Sequence, residues 1–152
     1  QGYGIDLEKG SVTRLADAAQ VMVLESIENV STPAGVASQV KGSSAANILI
    51  AQGENDRIEG GPGDDTLWVQ GTYAWVDGGA GKDRYVIASN RGTVTLHEQD
   101  WHEGSLVEMR WEAAAITAWF IRDCALIILS REPYGSSIIS KSGEPVEQGS
   151  LL

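Results

Sequence analysis

What this sequence has little of narrows its class before any motif is read. It has a single cysteine, Cys124, so no internal disulfide can form and a disulfide-stapled scaffold is excluded. No nucleophile motif surrounds Cys124, and His97 and His102 are the only histidines. A buried structural thiol is therefore the expectation. Basic residues are scarce, 11 Lys and Arg against 21 Asp and Glu, for a formal net charge of −10. Nucleic acid and anionic membranes both demand basic patches, so neither is expected as a partner. The same imbalance suits cation binding or an acidic exported protein. No apolar run approaches the roughly 18 residues of a membrane span, so no transmembrane segment is expected. The start, Gln1-Gly2-Tyr3, has neither an initiator Met nor a basic leader. The chain is accordingly expected to be part of a larger parent polypeptide.

The residue in excess is glycine, 18 in 152, where average usage of about 7% gives roughly 11. The glycines are not scattered. Gly60-Gly61-Pro62-Gly63-Asp64-Asp65-Thr66-Leu67-Trp68 is followed 18 residues on by Gly78-Gly79-Ala80-Gly81-Lys82-Asp83-Arg84-Tyr85-Val86. Both have Gly at positions 1, 2 and 4, Asp at 6 and a large apolar residue at 8. Stepping by nine from residue 33 puts Val40, Leu49, Ile58, Leu67, Val76 and Tyr85 at position 8. Position 6 reads Ser38, Asn47, Asp56, Asp65, Ala74 and Asp83. Such a period fits a solenoid, in which a tight Gly-rich turn alternates with a three-residue strand whose middle side chain points inward. Successive registers then fall on opposite sheets, with Leu49, Leu67 and Tyr85 on one wall and Val40, Ile58 and Val76 on the other. Six half-coils make three turns, so end caps are needed to cover the core.

These nonapeptides resemble those of the RTX (repeats-in-toxin, haemolysin-type) proteins, whose repeats bind calcium. The resemblance covers residues 33–86. It implies an all-β fold, a short parallel β-roll, with a lead-in over 1–32 and an antiparallel β cap over 87–152. It implies Ca2+ as cofactor and a secreted, extracellular setting, in which the chain folds on meeting calcium after export by type I secretion. The expected parent is a bacterial toxin, adhesin or secreted enzyme. The chemistry agrees, since Ca2+ is a hard cation that takes 6–8 oxygens from carboxylates and backbone carbonyls. In the family the earlier of two stacked turns gives the carbonyls of positions 2 and 4. The later turn gives those of 1 and 3, and both give position 6. Carried over, a first site takes Gly61, Gly63 and Asp65 with Gly78, Ala80 and Asp83. A second, weaker site takes Ser43, Ala45 and Asn47 with Gly60, Pro62 and Asp65. On the opposite edge Asp56 faces Ser38 and Ala74, a departure from the pattern that predicts poor calcium binding there.

Elsewhere the sequence is less specific. Leu15–Leu24 has weak helical character, and Thr32-Pro33 breaks regular structure. Strands are expected over 93–97, 105–111, 116–120, 125–129 and 137–140, with a turn at Arg122-Asp123 and a loose tail from Gly143. The segment from His97 to Glu103 has two histidines but the spacing of no known zinc motif, and polar turn residues explain it better. Trp68, Trp75, Trp101, Trp111 and Trp119 are read as capping and core residues rather than a sugar-stacking surface. No nucleophile–base pair or paired-acid constellation supports an enzyme. The alternative function is a recognition module for a host receptor or glycan, in which calcium is only structural.

Overall fold

The computed structural model describes residues 2–88, 92–98 and 104–110 in full, and residues 116–122, 125–130 and 136–141 as backbone. There is no helix among the described residues. The strands are β1 Tyr3–Asp6, β2 Ser11–Arg14, β3 Gln20–Val23, β4 Asn29–Ser31, β5 Gln39–Lys41, β6 Ile48–Ala51, β7 Arg57–Pro62 and β8 Thr66–Val69. They continue as β9 Trp75–Ala80, β10 Arg84–Ile87, β11 Thr93–Glu98, β12 Leu106–Met109, β13 Ile116–Arg122, β14 Ala125–Ser130 and β15 Ser136–Lys141.

From β4 to β13 the chain alternates between two sheets at every strand, and β14 and β15 stay in the sheet of β13. One sheet runs β12-β10-β8-β6-β4, all parallel. The other contains β1, β5, β7, β9, β11 and β15 in parallel succession, with β13 and β14 antiparallel beyond β15 and β2 and β3 antiparallel beyond β1. The result is a parallel β-solenoid of about 4 turns, an RTX-type β-roll. The expected walls form as two columns. Ile5, Val40, Ile58, Val76 and Leu96 pair in sequence on one sheet. Val30, Leu49, Leu67, Tyr85 and Val107 do so on the other. Their central members are almost fully buried. Each such side chain withdraws about 1.5–3 kcal/mol of apolar surface from water. Single coils cannot do this, so neighbouring coils stabilise one another.

Two findings differ from the sequence-based expectation. The nine-residue count ends at 86, but the parallel stacking does not. Leu96 pairs with Val76 after 20 residues and Val107 with Tyr85 after 22. Longer turns break the count while the inward apolar alternation of Val94 and Leu96 keeps the coil closed. The helical tendency of Leu15–Leu24 is also overridden. Ala18 takes a left-handed φ of 54°, and the Asp17 carboxylate accepts a hydrogen bond from the Ala19 N–H at 3.1 Å. This turn feeds β3 back onto β2, a strand that Val21 and Val23 favour. The expected strands near 93–97, 105–111, 116–120, 125–129 and 137–140 are present as β11 to β15. Cys124, Trp101, Trp111, His102, Asp123 and the tail from Gly143 lie outside the described residues, as does the side chain of Trp119.

Candidate metal centre

Because strands of one sheet recur every second register, turns stack in two columns along the two edges of the roll. The first edge carries the turns of residues 42–47, 60–65 and 78–83. Within it β7 and β9 stay paired into their turns, with Gly61 opposite Gly79 and Pro62 opposite Ala80, and the Gly63 N–H donates to the Ala80 carbonyl at 2.8 Å. Gly61 and Gly79 hold φ of 104° and 99°, a conformation that side chains rarely tolerate. A Cβ on Gly79 would land on the Gly61 carbonyl oxygen, and one on Gly81 would land on that of Gly63. A Cβ on Gly60 would meet the Gly78 oxygen. The gap between these two turns is thus lined by carbonyls from both sides.

The sixth-position carboxylates enter the same region. Asp65 and Asp83 are 1% and 2% exposed. One oxygen of each is used as a rung between coils. Asp65 Oδ1 accepts the Asn47 N–H at 2.7 Å, and Asp83 Oδ1 accepts the Asp65 N–H at 2.9 Å. The second oxygen of each, Oδ2, is buried with no hydrogen-bond partner and lies against the first glycine of its own turn, Gly60 or Gly78. Burial without a partner penalises the charged form. Desolvation pushes the Asp65 carboxyl up to about 6, and it pushes Asp83 up to about 7, with repulsion from Glu98, Asp65 and Asp64 adding to it. An orphaned buried carboxylate oxygen costs about 1–3 kcal/mol. A hard cation in the carbonyl-lined gap would remove that cost, so the residues present fit Ca2+.

The 42–47 turn offers a different environment. A Cβ on Gly61 or Gly63 would meet the Ser43 or Ala45 carbonyl, so this gap too is carbonyl-lined. The side chain of Asn47, however, is already engaged. Its Oδ1 accepts the Ser43 N–H at 2.7 Å, and its Nδ2 donates to Glu28 at 3.0 Å. On the second edge Asp56 is 1% exposed and both its oxygens are bonded. Ser38 and Ala74 lie buried in the neighbouring coils as the register requires.

Sequence reasoning missed the ends of the first edge. The Glu28 carbonyl accepts the Ile48 N–H at 3.3 Å, as Asn47 does for Thr66 and Asp65 for Arg84, which places Glu28 at a sixth position. Ser105 does the same duty at the far end, where its hydroxyl accepts the Asp83 N–H at 2.9 Å. Stepping by 19 and 22 residues rather than 18 would have found them. Glu98 is fully buried and accepts the Tyr85 hydroxyl at 2.8 Å, while the Gly78 N–H donates to that hydroxyl at 2.8 Å. His97, its neighbour, points outward to Asp77 at 3.0 Å. Among the described residues no three His, Cys, Asp or Glu side chains converge as a metal cluster, so a cation here relies on backbone carbonyls for most of its shell.

A family model of the RTX calcium-binding nonapeptide repeat, in four copies, matches residues 41–70. Residues 41–70 are RTX calcium-binding repeats. RTX nonapeptide repeats bind Ca2+. The matched RTX segment spans β6, β7 and β8 and the first two turns of the first edge. The strand register carries the same pattern on through the 78–83 turn. No curated protein matches the chain.

Proposed function

We propose that this chain is the calcium-binding module of a larger exported protein, and that calcium closes the first edge of the roll and so couples its folding to arrival outside the cell. One observation carries the reading: two buried carboxylate oxygens, on Asp65 and Asp83, have no partner beside stacked turns lined with carbonyls. The first site comprises Gly61, Gly63 and Asp65 with Gly78, Ala80 and Asp83. The second comprises Ser43, Ala45 and Asn47 with Gly60, Pro62 and Asp65, and it is weaker because Asn47 brings no charge. Bound calcium supplies positive charge between acidic turns. Without it the carboxylates oppose burial and the short roll loses its first edge. RTX-type repeats and the β-solenoid fold are typically non-catalytic structural modules, which supports a structural role for this one. Circular dichroism in chelator and in millimolar Ca2+ tests the reading. A gain of β signal on calcium addition is expected, and identical spectra would overturn it.

A second reading, recognition of a glycan or receptor, is favoured by one feature. The outer face of the sheet holding β1, β5 and β7 has a groove of about 330 Å3, floored by Gly4 and flanked by Lys9, Thr13, Lys41 and Arg57. Beside it the Arg57 guanidinium lies 3.6 Å over the Trp75 ring. Asp6 and Glu59 also line the groove and pair with Lys9 at 3.2 Å and Arg57 at 2.7 Å. This groove of both charges beside an aromatic face suits a polar sugar carrying hydroxyls and a carboxylate. Titration with glucuronic acid, followed by tryptophan fluorescence in the parent and in Trp75→Phe, tests it. Saturable quenching only in the parent is expected, and no change at millimolar sugar would overturn it.

A further inference from the structure

The second edge of the roll carries an acidic sixth-position residue, Asp56. There too carbonyls of Val36 and Gly53 lie against turn glycines, and one buried oxygen, Ser38 Oγ, has no hydrogen-bond partner. Yet the Asp56 carboxylate itself is bonded through both oxygens, where that of Asp65 is not. We propose that Thr32 closes this edge in place of a cation, and thereby decides which side of the roll takes calcium. Thr32 follows β4 and extends its pairing, its N–H donating to the Ile50 carbonyl at 2.9 Å. It is 2% exposed. Its hydroxyl lies 2.6 Å from Asp56 Oδ2, within the range of a charge-assisted hydroxyl–carboxylate bond. The same hydroxyl accepts the Gln52 N–H at 2.9 Å, and its single hydrogen has the charged Asp56 oxygen at 2.6 Å as a nearer acceptor than the Ile50 carbonyl at 3.3 Å. The Gly53 N–H reaches Asp56 Oδ2 at 2.8 Å, and the Ser38 N–H reaches Oδ1 at 2.8 Å.

Three donors therefore converge on one buried carboxylate. Asp65 and Asp83 each accept one backbone N–H through Oδ1, and each has an orphaned Oδ2. A cation needs lone pairs aimed at it. At Asp56 those lone pairs meet protons instead, and N–H and O–H dipoles pointing into the position repel positive charge. The second edge is consequently a clasp that stabilises the roll equally with or without metal. The ion count is set by the first edge alone. This inference rests on the calcium reading of the first edge for its consequence, but the clasp itself is a separate contact.

The test measures melting temperature against the logarithm of calcium concentration, a slope that reports ions taken up on folding. Thr32→Val is expected to lower Tm by about 5 °C, from loss of one hydrogen bond to a carboxylate, and to leave the slope at the parent value. Thr32→Ser keeps the hydroxyl and should recover most of the loss. Asp65→Asn should flatten the slope. If Asp56→Asn or Thr32→Val flattens it as Asp65→Asn does, a cation occupies the second edge and the proposal is overturned. A parent slope of zero would remove the calcium reading of the first edge, and the clasp would still be decided by a double-mutant cycle. The Thr32→Val, Asp56→Asn pair must lose less than the sum of its singles; strict additivity overturns the clasp. Should Thr32→Val not fold, Asp56→Asn alone still gives the slope, and Thr32→Ala takes the place of Thr32→Val in the cycle.

Discussion

The two edges of the roll are built from the same nine-residue register and solve the same problem differently. On the first edge left-handed glycines such as Gly61 and Gly79 turn carbonyls into the gap between coils. Asp65 and Asp83 then project oxygens that the protein leaves unbonded. On the second edge the left-handed residues include Gly35, Asn55 and Tyr73, with φ of 73°, 61° and 57°, and Asp56 is bonded through both oxygens. A buried carboxylate is thus no marker of a cation site. On the proposed reading the marker is a buried carboxylate with an oxygen that its own fold leaves unbonded.

The largest effect should come from removing calcium. Each ion at about 100 times its dissociation constant adds roughly 2.7 kcal/mol, or about 5–10 °C of Tm for a chain of this size. Thermal melts in chelator and in millimolar Ca2+ should differ by at least that much. Coincident curves would erase the distinction between the edges.

Next come the turn glycines, which differ in how closely a neighbouring coil approaches them, on the second edge (Gly53 and Gly71) as well as the first. Gly79→Ala forces a side chain onto the Gly61 carbonyl at a φ of 99°. It should cost more than about 3 kcal/mol, strain and clash together. Gly35 on the second edge has a φ of 73° but nothing within 4 Å of the added carbon. Gly35→Ala should cost only about 1 kcal/mol, the left-handed penalty alone. Urea denaturation of both variants in calcium gives the ratio; equal losses would mean that close coil approach does not set the cost.

The sequence showed one of these edges far better than the other. Paired Gly-Gly-x-Gly-x-Asp motifs announce the 60–65 and 78–83 turns because only glycine fits their backbone. Position 8 announces the core because a solenoid wall needs an apolar residue in every coil. The clasp was hidden, since Thr32 is an ordinary polar residue beside Pro33 and its partner is 24 residues away. The coils beyond Tyr85 were hidden for another reason. Strand stacking constrains side-chain alternation, not turn length, so turns that lengthen the repeat to 20 and 22 residues erase the period while β11 and β12 keep their places. The role of Tyr85 was half legible, as a wall residue but not as the hydroxyl that links Gly78 to Glu98.

A smaller effect concerns pH. Burial raises Asp65 to about 6 and Asp83 to about 7 from an ordinary value of 3.8. A raised carboxyl favours the folded state below the ordinary value, and that contribution is lost as pH rises through 6 to 7. The metal-free roll should therefore weaken between pH 4 and pH 7. Calcium needs the ionised carboxylates, so its affinity should strengthen over the same interval. Melts at pH 5 and pH 8 should show a larger calcium-induced rise in Tm at pH 8. A larger rise at pH 5 would contradict the assignment of Asp65 and Asp83. The smallest effect should be that of Mg2+, which wants near-ideal octahedral geometry and keeps its waters. Magnesium alone should shift Tm little, and full recovery of the calcium-bound spectrum in Mg2+ would show that the gap is not shaped for the larger ion.

The most direct measurement is calcium titration by calorimetry of Asp65→Ala, Asp83→Ala and Asp56→Ala. In the proposed assignment Asp65, in the middle turn of the first edge, serves the ion on either side and Asp83 serves one of the two, whereas Asp56 is bonded to Thr32. Affinity follows the number of charged ligands. Asp65→Ala should therefore weaken binding most and Asp83→Ala next, while Asp56→Ala should lower stability and leave calcium affinity near that of the parent. If Asp56→Ala proved the worst binder of the three, the assignment of calcium to the first edge would be contradicted.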